Sequence, residues 1–332
     1  MQELLIGKIR QILPPTLSVI DEISHVLDIS YDAAYRRVNG KTVLSLEESV
    51  HLAKHFKLSL NKLYEVGEQN SILADVSPPI QDVDGLEAYF RNSLEQLQPL
   101  TKLSSSSITY SAKDIPLFYT LSDSHLTKYK CYVWLKFLDD DGKMSKMSFQ
   151  EFTEQAPTSL FESARALGDV YNNIDIIEFW NDNTINGNLQ QVFYFYEAGL
   201  LSREMALTIC EDLRQIIHRV ERQSIEQSIT GTQNQTQYLL YKSDLLTMSN
   251  TVMIKTKNQK LFFCPFTVLT YLKVEHIPTC ERLDKFFAKQ MKNSKLLINA
   301  GERDRTQFFN KMHLKIKTIE DRLKVNEDLI YF

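Results

Sequence analysis

SVIDEISHVLDISYDAAYRRVNGKTVLSLEESVHLAKHFKLSLNKLY, residues 18–64, is the stretch in which apolar spacing, caps and turns agree most closely. Val19, Ile20, Ile23, Val26 and Leu27 recur at helical spacing, so 18–27 reads as a short helix with one buried stripe. Ser18 is placed to cap it, with Asp21 close to the free amides of the first turn. A tight Asp28-Ile29-Ser30 turn follows, and 31–39 reads as a second helix. Its expected inward stripe is Tyr31, Ala34, Tyr35 and Val38, leaving Asp32, Ala33, Arg36 and Arg37 outward.

Asn39-Gly40 stops this helix, because glycine accepts the left-handed conformation that satisfies the last carbonyls. Ser45-Leu46-Glu47-Glu48 reads as a capping box that opens a third helix over 46–56, with Val50, Leu52, Ala53 and Phe56 apolar. Ser59 precedes a fourth short helix at Leu60-Asn61-Lys62-Leu63-Tyr64. Two short helices around a tight turn, supported by others, have helix-turn-helix geometry, and a bundle of four or five short helices is expected.

Several blocks carry a resemblance. Asp28-Ile29-Ser30, Val38-Asn39-Gly40-Lys41, Leu44 to Glu48, Leu52-Ala53-Lys54, Leu58-Ser59-Leu60 and Leu63 stand in an order that resembles the lambda-repressor/Cro-like (Xre-type) helix-turn-helix family. The likeness covers roughly the first fifth of the chain. Asp28 departs from it, standing where the family usually has glycine. The resemblance implies that the 31–39 helix enters the major groove of double-stranded DNA. Tyr31, Asp32, Ala33, Arg36 and Arg37 would then face base edges or phosphates, and Lys41 would lie near the backbone. Ser30 would cap the helix and bring its amides close to a phosphate. The chemistry of the residues agrees: arginine can donate two hydrogen bonds to guanine, and either basic type can meet a phosphate.

Charge adds a modest footprint. Residues 1–66 hold equal numbers of basic and acidic side chains, but 32–62 hold six basic against three acidic. That excess fits one half-site of a homodimer better than strong binding by a single copy. Over the whole chain the net charge is -4, which argues against a nucleic-acid coat along the molecule. Paired arginines are also common on merely solvated helix faces, so a protein-interaction scaffold is the alternative reading of the module.

At 332 residues the chain has room for two or three cores. The expected division is a helix-turn-helix domain over 1–66, a linker and connecting helix over 67–107, and an α+β domain over 108–332. Gly67 to Ser71, Ser77-Pro78-Pro79 and Ser104 to Ser107 mark the breaks, with Leu86, Tyr89, Phe90, Leu94 and Leu97 striping the helix between them. In the large domain, helices are expected over 184–199 and through Ala206, Ile209, Cys210, Leu213, Ile217 and Val220. Strands are expected over 174–180, 238–246, 251–255 and 260–266, the last two joined by a Thr256-Lys257-Asn258-Gln259 hairpin turn in an antiparallel sheet. The whole therefore reads as mainly α with a smaller β component. Phe309, Met312, Ile316, Ile319 and Leu323 form a seam that packs either on its own domain or on a second copy.

Chemistry-bearing motifs are sparse. There is no GxxxxGK[ST], GxGxxG or GxSxG, and Asp139-Asp140-Asp141-Gly142 lacks the alternate ligands of a calcium loop. His51 and His55 sit four apart with no third ligand nearby, and read as helix surface. His218, His276 and Cys280 carry no recognisable nucleophile pattern. Cys131, Cys210, Cys264 and Cys280 have no CxxC pairing and read as reduced thiols of a cytoplasmic protein. No apolar run is long enough to span a bilayer. Dense aromatics at Phe118-Tyr119, Tyr132, Trp134, Phe137, Phe179-Trp180, Phe193 to Tyr196 and Phe262-Phe263 fit a large core, or a core hollowed by a cavity for an unidentified effector. The expectation is thus a dimeric, sequence-specific transcriptional regulator, not an enzyme, with no cofactor or metal.

Overall fold

The computed structural model describes residues 2–64, 72–103, 105–140, 142–229, 236–298 and 302–325. The linker residues Gly67 to Ser71, together with Ser104, Asp141 and the side chain of Lys62, lie outside that set. The chain is mainly α with a smaller β component and divides into two compact units, Met1–Leu73 and Ala74–Phe332.

The first unit contains α1 (Gln2–Ile12), α2 (Val19–Leu27), α3 (Tyr31–Val38), α4 (Leu46–His55) and α5 (Leu60–Tyr64). Helix α1 is an addition to the expected set. Its Leu5, Ile6 and Ile9 are buried with Ile23, Val26, Ala34, Leu44 and Leu52 in one core, each large aliphatic side chain contributing about 1.5–3 kcal/mol by leaving water. Gln2 ties α1 to the last turn of α3 and the loop after it: its Nε2 donates to the carbonyls of Arg37 (2.6 Å) and Thr42 (3.0 Å), and its Oε1 accepts from the Leu44 amide (2.9 Å).

The caps form as the residue types require. Ser18 accepts from the Asp21 amide, and Ser45 and Glu48 complete the reciprocal capping box. Between α2 and α3, Asp28 occupies the left-handed region at φ 51°, so an aspartate adopts the conformation for which glycine is the usual choice. The amide of Ile29 closes back on the Ser24 carbonyl at 3.1 Å, and Ser24 Oγ donates to the Ile29 carbonyl at 2.6 Å. Gly40 terminates α3 at φ 71°, as expected.

The second unit runs β1 (Asp75–Val76), α6 (Val83–Leu97), β2 (Ser107–Ser111), α7 (His125–Leu138), α8 (Phe149–Gln155), α9 (Thr158–Tyr171), β3 (Asp175–Trp180), α10 (Asn186–Glu197), α11 (Arg203–Glu226), β4 (Tyr238–Lys242), β5 (Thr251–Lys255), β6 (Lys260–Thr267), β7 (Thr270–Val274), α12 (Ile277–Lys292), β8 (Lys295–Leu296) and α13 (Glu302–Val325). Its strands form one sheet in the order β1-β7-β6-β5-β2-β3-β4-β8. The β5–β6 hairpin is antiparallel as expected, with the Thr256 amide bonded to the Gln259 carbonyl at 2.9 Å. The sheet as a whole is mixed, because β2, β3 and β4 run parallel. Parallel neighbours need long crossovers, and α7 to α9 and then α10 with α11 supply them.

Strand alternation divides the core between the two sheet faces. Ile176 and Trp180 of β3 and Val252 and Ile254 of β5 join the large cluster built with α6, α7, α9, α11 and α13. Phe179 and Met253 point the other way, to Cys280 and Phe287 of α12. On the larger side the fully buried Glu178 accepts from Tyr171 Oη at 2.7 Å, Tyr238 Oη at 2.8 Å and Trp180 Nε1 at 2.9 Å. Burial outweighs those donors and raises its carboxyl to about 7.

The packing corrects one expectation and decides between the two alternatives of another. The helix taken as a connector is α6, and its Leu86, Phe90 and Leu97 are buried in the large core, packed against α9. An apolar stripe shows that a helix must be covered, not by which part of the chain. The seam on α13 is likewise used within its own unit: Phe308, Phe309, Met312, Ile316 and Leu323 are buried and α13 lies along α11. Ile319, the remaining member of the seam, is half-buried against the same core.

Candidate functional sites

Ser30 begins α3 by accepting the Ala33 amide at 3.3 Å, which orients the first turn. From that start Tyr31 (51% exposed), Asp32, Tyr35 (42%), Arg36 and Asn39 point to solvent, with Ala33 half-buried between them. Lys41 is exposed just beyond the helix, its ammonium 5.5 Å from the centre of the Tyr35 ring. The Arg36 side chain makes no hydrogen bond or ion pair to a described residue, so its planar fork of donors is available.

Arg37 behaves differently from the expectation that it faces outward beside Arg36. Its Nε lies 3.1 and 3.2 Å from the two carboxylate oxygens of Glu48, its second terminal nitrogen 2.7 Å from Oε1, and its remaining nitrogen donates to the Ala33 carbonyl at 3.2 Å. Both side chains are about four-fifths covered. Arg37 hydrogen-bonding and then the Ser45 amide hold the Glu48 carboxyl below its ordinary value, against the opposing effect of burial. The Arg37–Glu48 pair therefore joins α3 to the start of α4. The inward stripe is narrower than expected, with Ala34 fully buried and Val38 half-buried, while Tyr31 and Tyr35 lie on the outer surface. Val43 and Leu46, on and just after the loop that follows, are also strongly exposed.

The second unit holds a cavity of about 660 Å³. Ile80, Leu97, Ile108, Val252, Ile254 and Leu261 contribute apolar walls. Tyr89, Asn92 and Gln96 of α6, with Tyr110 and Tyr271 of the sheet, add a few polar groups. Asp75, Lys273 and Glu275 are the charged residues on its border, and Lys273 pairs with Glu275 at 2.6 Å. Volume and lining fit a drug-sized, mainly apolar molecule. Of the expected aromatics, Phe118 and Phe263 line this space. Tyr132 and Trp180 are packed core, and Phe137 and Tyr194 are exposed.

His51 and His55 lie on the surface of α4, as expected. No helix among the described residues is long and apolar enough to cross a membrane. The chain matches no family model, no curated protein and no solved structure.

Proposed function

We propose that the chain is a sequence-specific DNA-binding transcriptional regulator, acting in the cytoplasm as a homodimer, in which α3 enters the major groove. The supporting observation is the outer surface of α3: Arg36, whose guanidinium has no partner among the described residues, beside Tyr31 and Asp32 on a helix capped by Ser30, with Lys41 just past its end. Arg36 is assigned to a guanine edge, where its two donors match O6 and N7. Lys41 and the α3 amides are assigned to phosphates. Arg37 has a supporting role through Glu48. Incubating the full chain with a random duplex library and sequencing the retained fragments tests this reading. Enrichment of paired, inverted half-sites is expected; recovery no richer than the input pool would reject it.

The large unit is assigned the part of spacing two DNA readers and binding an effector in its cavity. Nile red, an uncharged apolar fluorophore, serves as a probe. The wild-type chain is expected to bind it with enhanced emission. Ala88→Trp, which places an indole against the cavity wall, is expected to reduce that emission at least about 10-fold. Equal emission from both proteins would mean that the cavity takes up no such molecule.

The scaffold reading draws on exposed Val43 and Leu46, which with Tyr31 and Tyr35 offer apolar area next to α3. It differs in outcome, because a scaffold would retain no duplex.

A further inference from the structure

Where α11 and α13 lie along each other, His218 and His313 face one another with ring centres 4.4 Å apart and planes inclined by 35°. Glu221 is three residues after His218, hence on the same surface of α11. The donor atoms of these three side chains all lie within 4.8 Å of one another. Neither the surface of α3 nor the apolar cavity uses any of them. His313 is the telling member: both of its ring nitrogens are buried without a hydrogen-bond partner among the described residues. An imidazole in that state has lost water and gained nothing in exchange. Burial, then His218 and Arg214, lowers its pKa, which favours the neutral ring that has a lone pair to offer.

We propose that His218, Glu221 and His313 bind a divalent transition-metal ion of the zinc class, bridging α11 and α13. Two imidazoles and one carboxylate suit zinc chemistry, and three protein ligands leave a coordination position for water or an outside ligand. Around a tetrahedral ion with bonds of 2.0–2.2 Å, neighbouring donors are roughly 3.4 Å apart, an approach that side-chain rotation supplies. His218 is exposed and gives the ion a way in, so the site exchanges with solution. Burial raises the pKa of the Glu221 carboxyl, with Arg305 and then His218 opposing that shift. The sequence hides the set because His313 comes from a different helix, far along the chain. His218, considered with His276 and Cys280 in the sequence, faces His313 instead.

The test is titration of the metal-free full chain with Co²⁺, read by its visible absorption. One ion per chain is expected, with the bands of a four- or five-coordinate nitrogen and oxygen site, displaced by Zn²⁺. A thiolate charge-transfer band is not expected, since none of the four cysteines belongs to the set. His218→Ala, at an exposed position, is expected to keep the fold and weaken Co²⁺ binding about 100-fold. Zn²⁺ should raise the melting temperature of the wild type but not of that variant. His313→Ala should weaken binding similarly, and His218→Ala decides the matter if His313→Ala does not fold. Absence of stoichiometric uptake, a thiolate band, or unchanged affinity in His218→Ala would overturn the proposal.

Discussion

Arg36→Ala is expected to leave the full chain folded and to weaken its hold on a selected duplex by about 10- to 100-fold, equivalent to the roughly 1–3 kcal/mol of one bidentate base contact. The guanidinium of Arg36 touches no described partner, so removing it costs the fold little. Arg37→Ala should do the reverse. It breaks a mostly covered ion pair, releases the Ala33 carbonyl and leaves Glu48 with only its capping contacts. A loss of about 1–3 kcal/mol from the first unit is expected, with weaker DNA binding only as a consequence. Circular dichroism during thermal unfolding, beside duplex retention well below the transition, separates the two. The double substitution would mix these effects and assign neither. If Arg37→Ala lost DNA at full stability while Arg36→Ala retained it, the roles of the two arginines would be exchanged.

The largest stability effect is expected at a glycine. Gly168 is buried inside α9, and a Cβ placed there would lie 1.9 Å from the carbonyl oxygen of Leu121. Backbone cannot swing aside as a long side chain can. Alanine is the better helix former by about 1 kcal/mol, so propensity alone would make Gly168→Ala stabilising. Steric overlap outweighs it, since α9 must separate from the segment it packs against, at a cost of about 3 kcal/mol or more. Both tryptophans, Trp134 and Trp180, belong to the second unit, so their fluorescence during urea unfolding follows this unit alone. A lower midpoint is expected for Gly168→Ala. A higher one would show that helix propensity governs the position and that α9 does not pack so closely on Leu121.

Much of the local structure could be read from residue types. Helices α2 to α4 follow from period and caps, and β5 and β6 from two β-rich runs around a polar turn. The features that escaped depend on partners distant in sequence. Nothing around Arg37 reveals that its charge is met by Glu48 after an intervening loop. Tyr31 and Tyr35 stand at helical spacing, which identifies a shared surface but not whether it is covered, and tyrosine is stable in either setting. Strand β2, SITYS, follows a serine run that looks like a break, yet it lies between β5 and β3 in the middle of the sheet. The parallel arrangement of β2, β3 and β4 comes from crossovers built of whole helices, which local periodicity cannot report. In the candidate DNA surface, Ser30, Tyr31, Asp32, Arg36 and Lys41 stand exposed together, Ala33 is half-buried, and only Arg37 turns away.

The most direct check on DNA reading by α3 is the salt dependence of duplex affinity, measured for the intact chain and for Lys41→Ala. With Lys41 on a phosphate, the slope of log affinity against log salt should become shallower by about 0.9 in the variant, with the preferred sequence unchanged. No duplex retained by the intact chain at low salt, or the same slope from both proteins, would contradict that assignment.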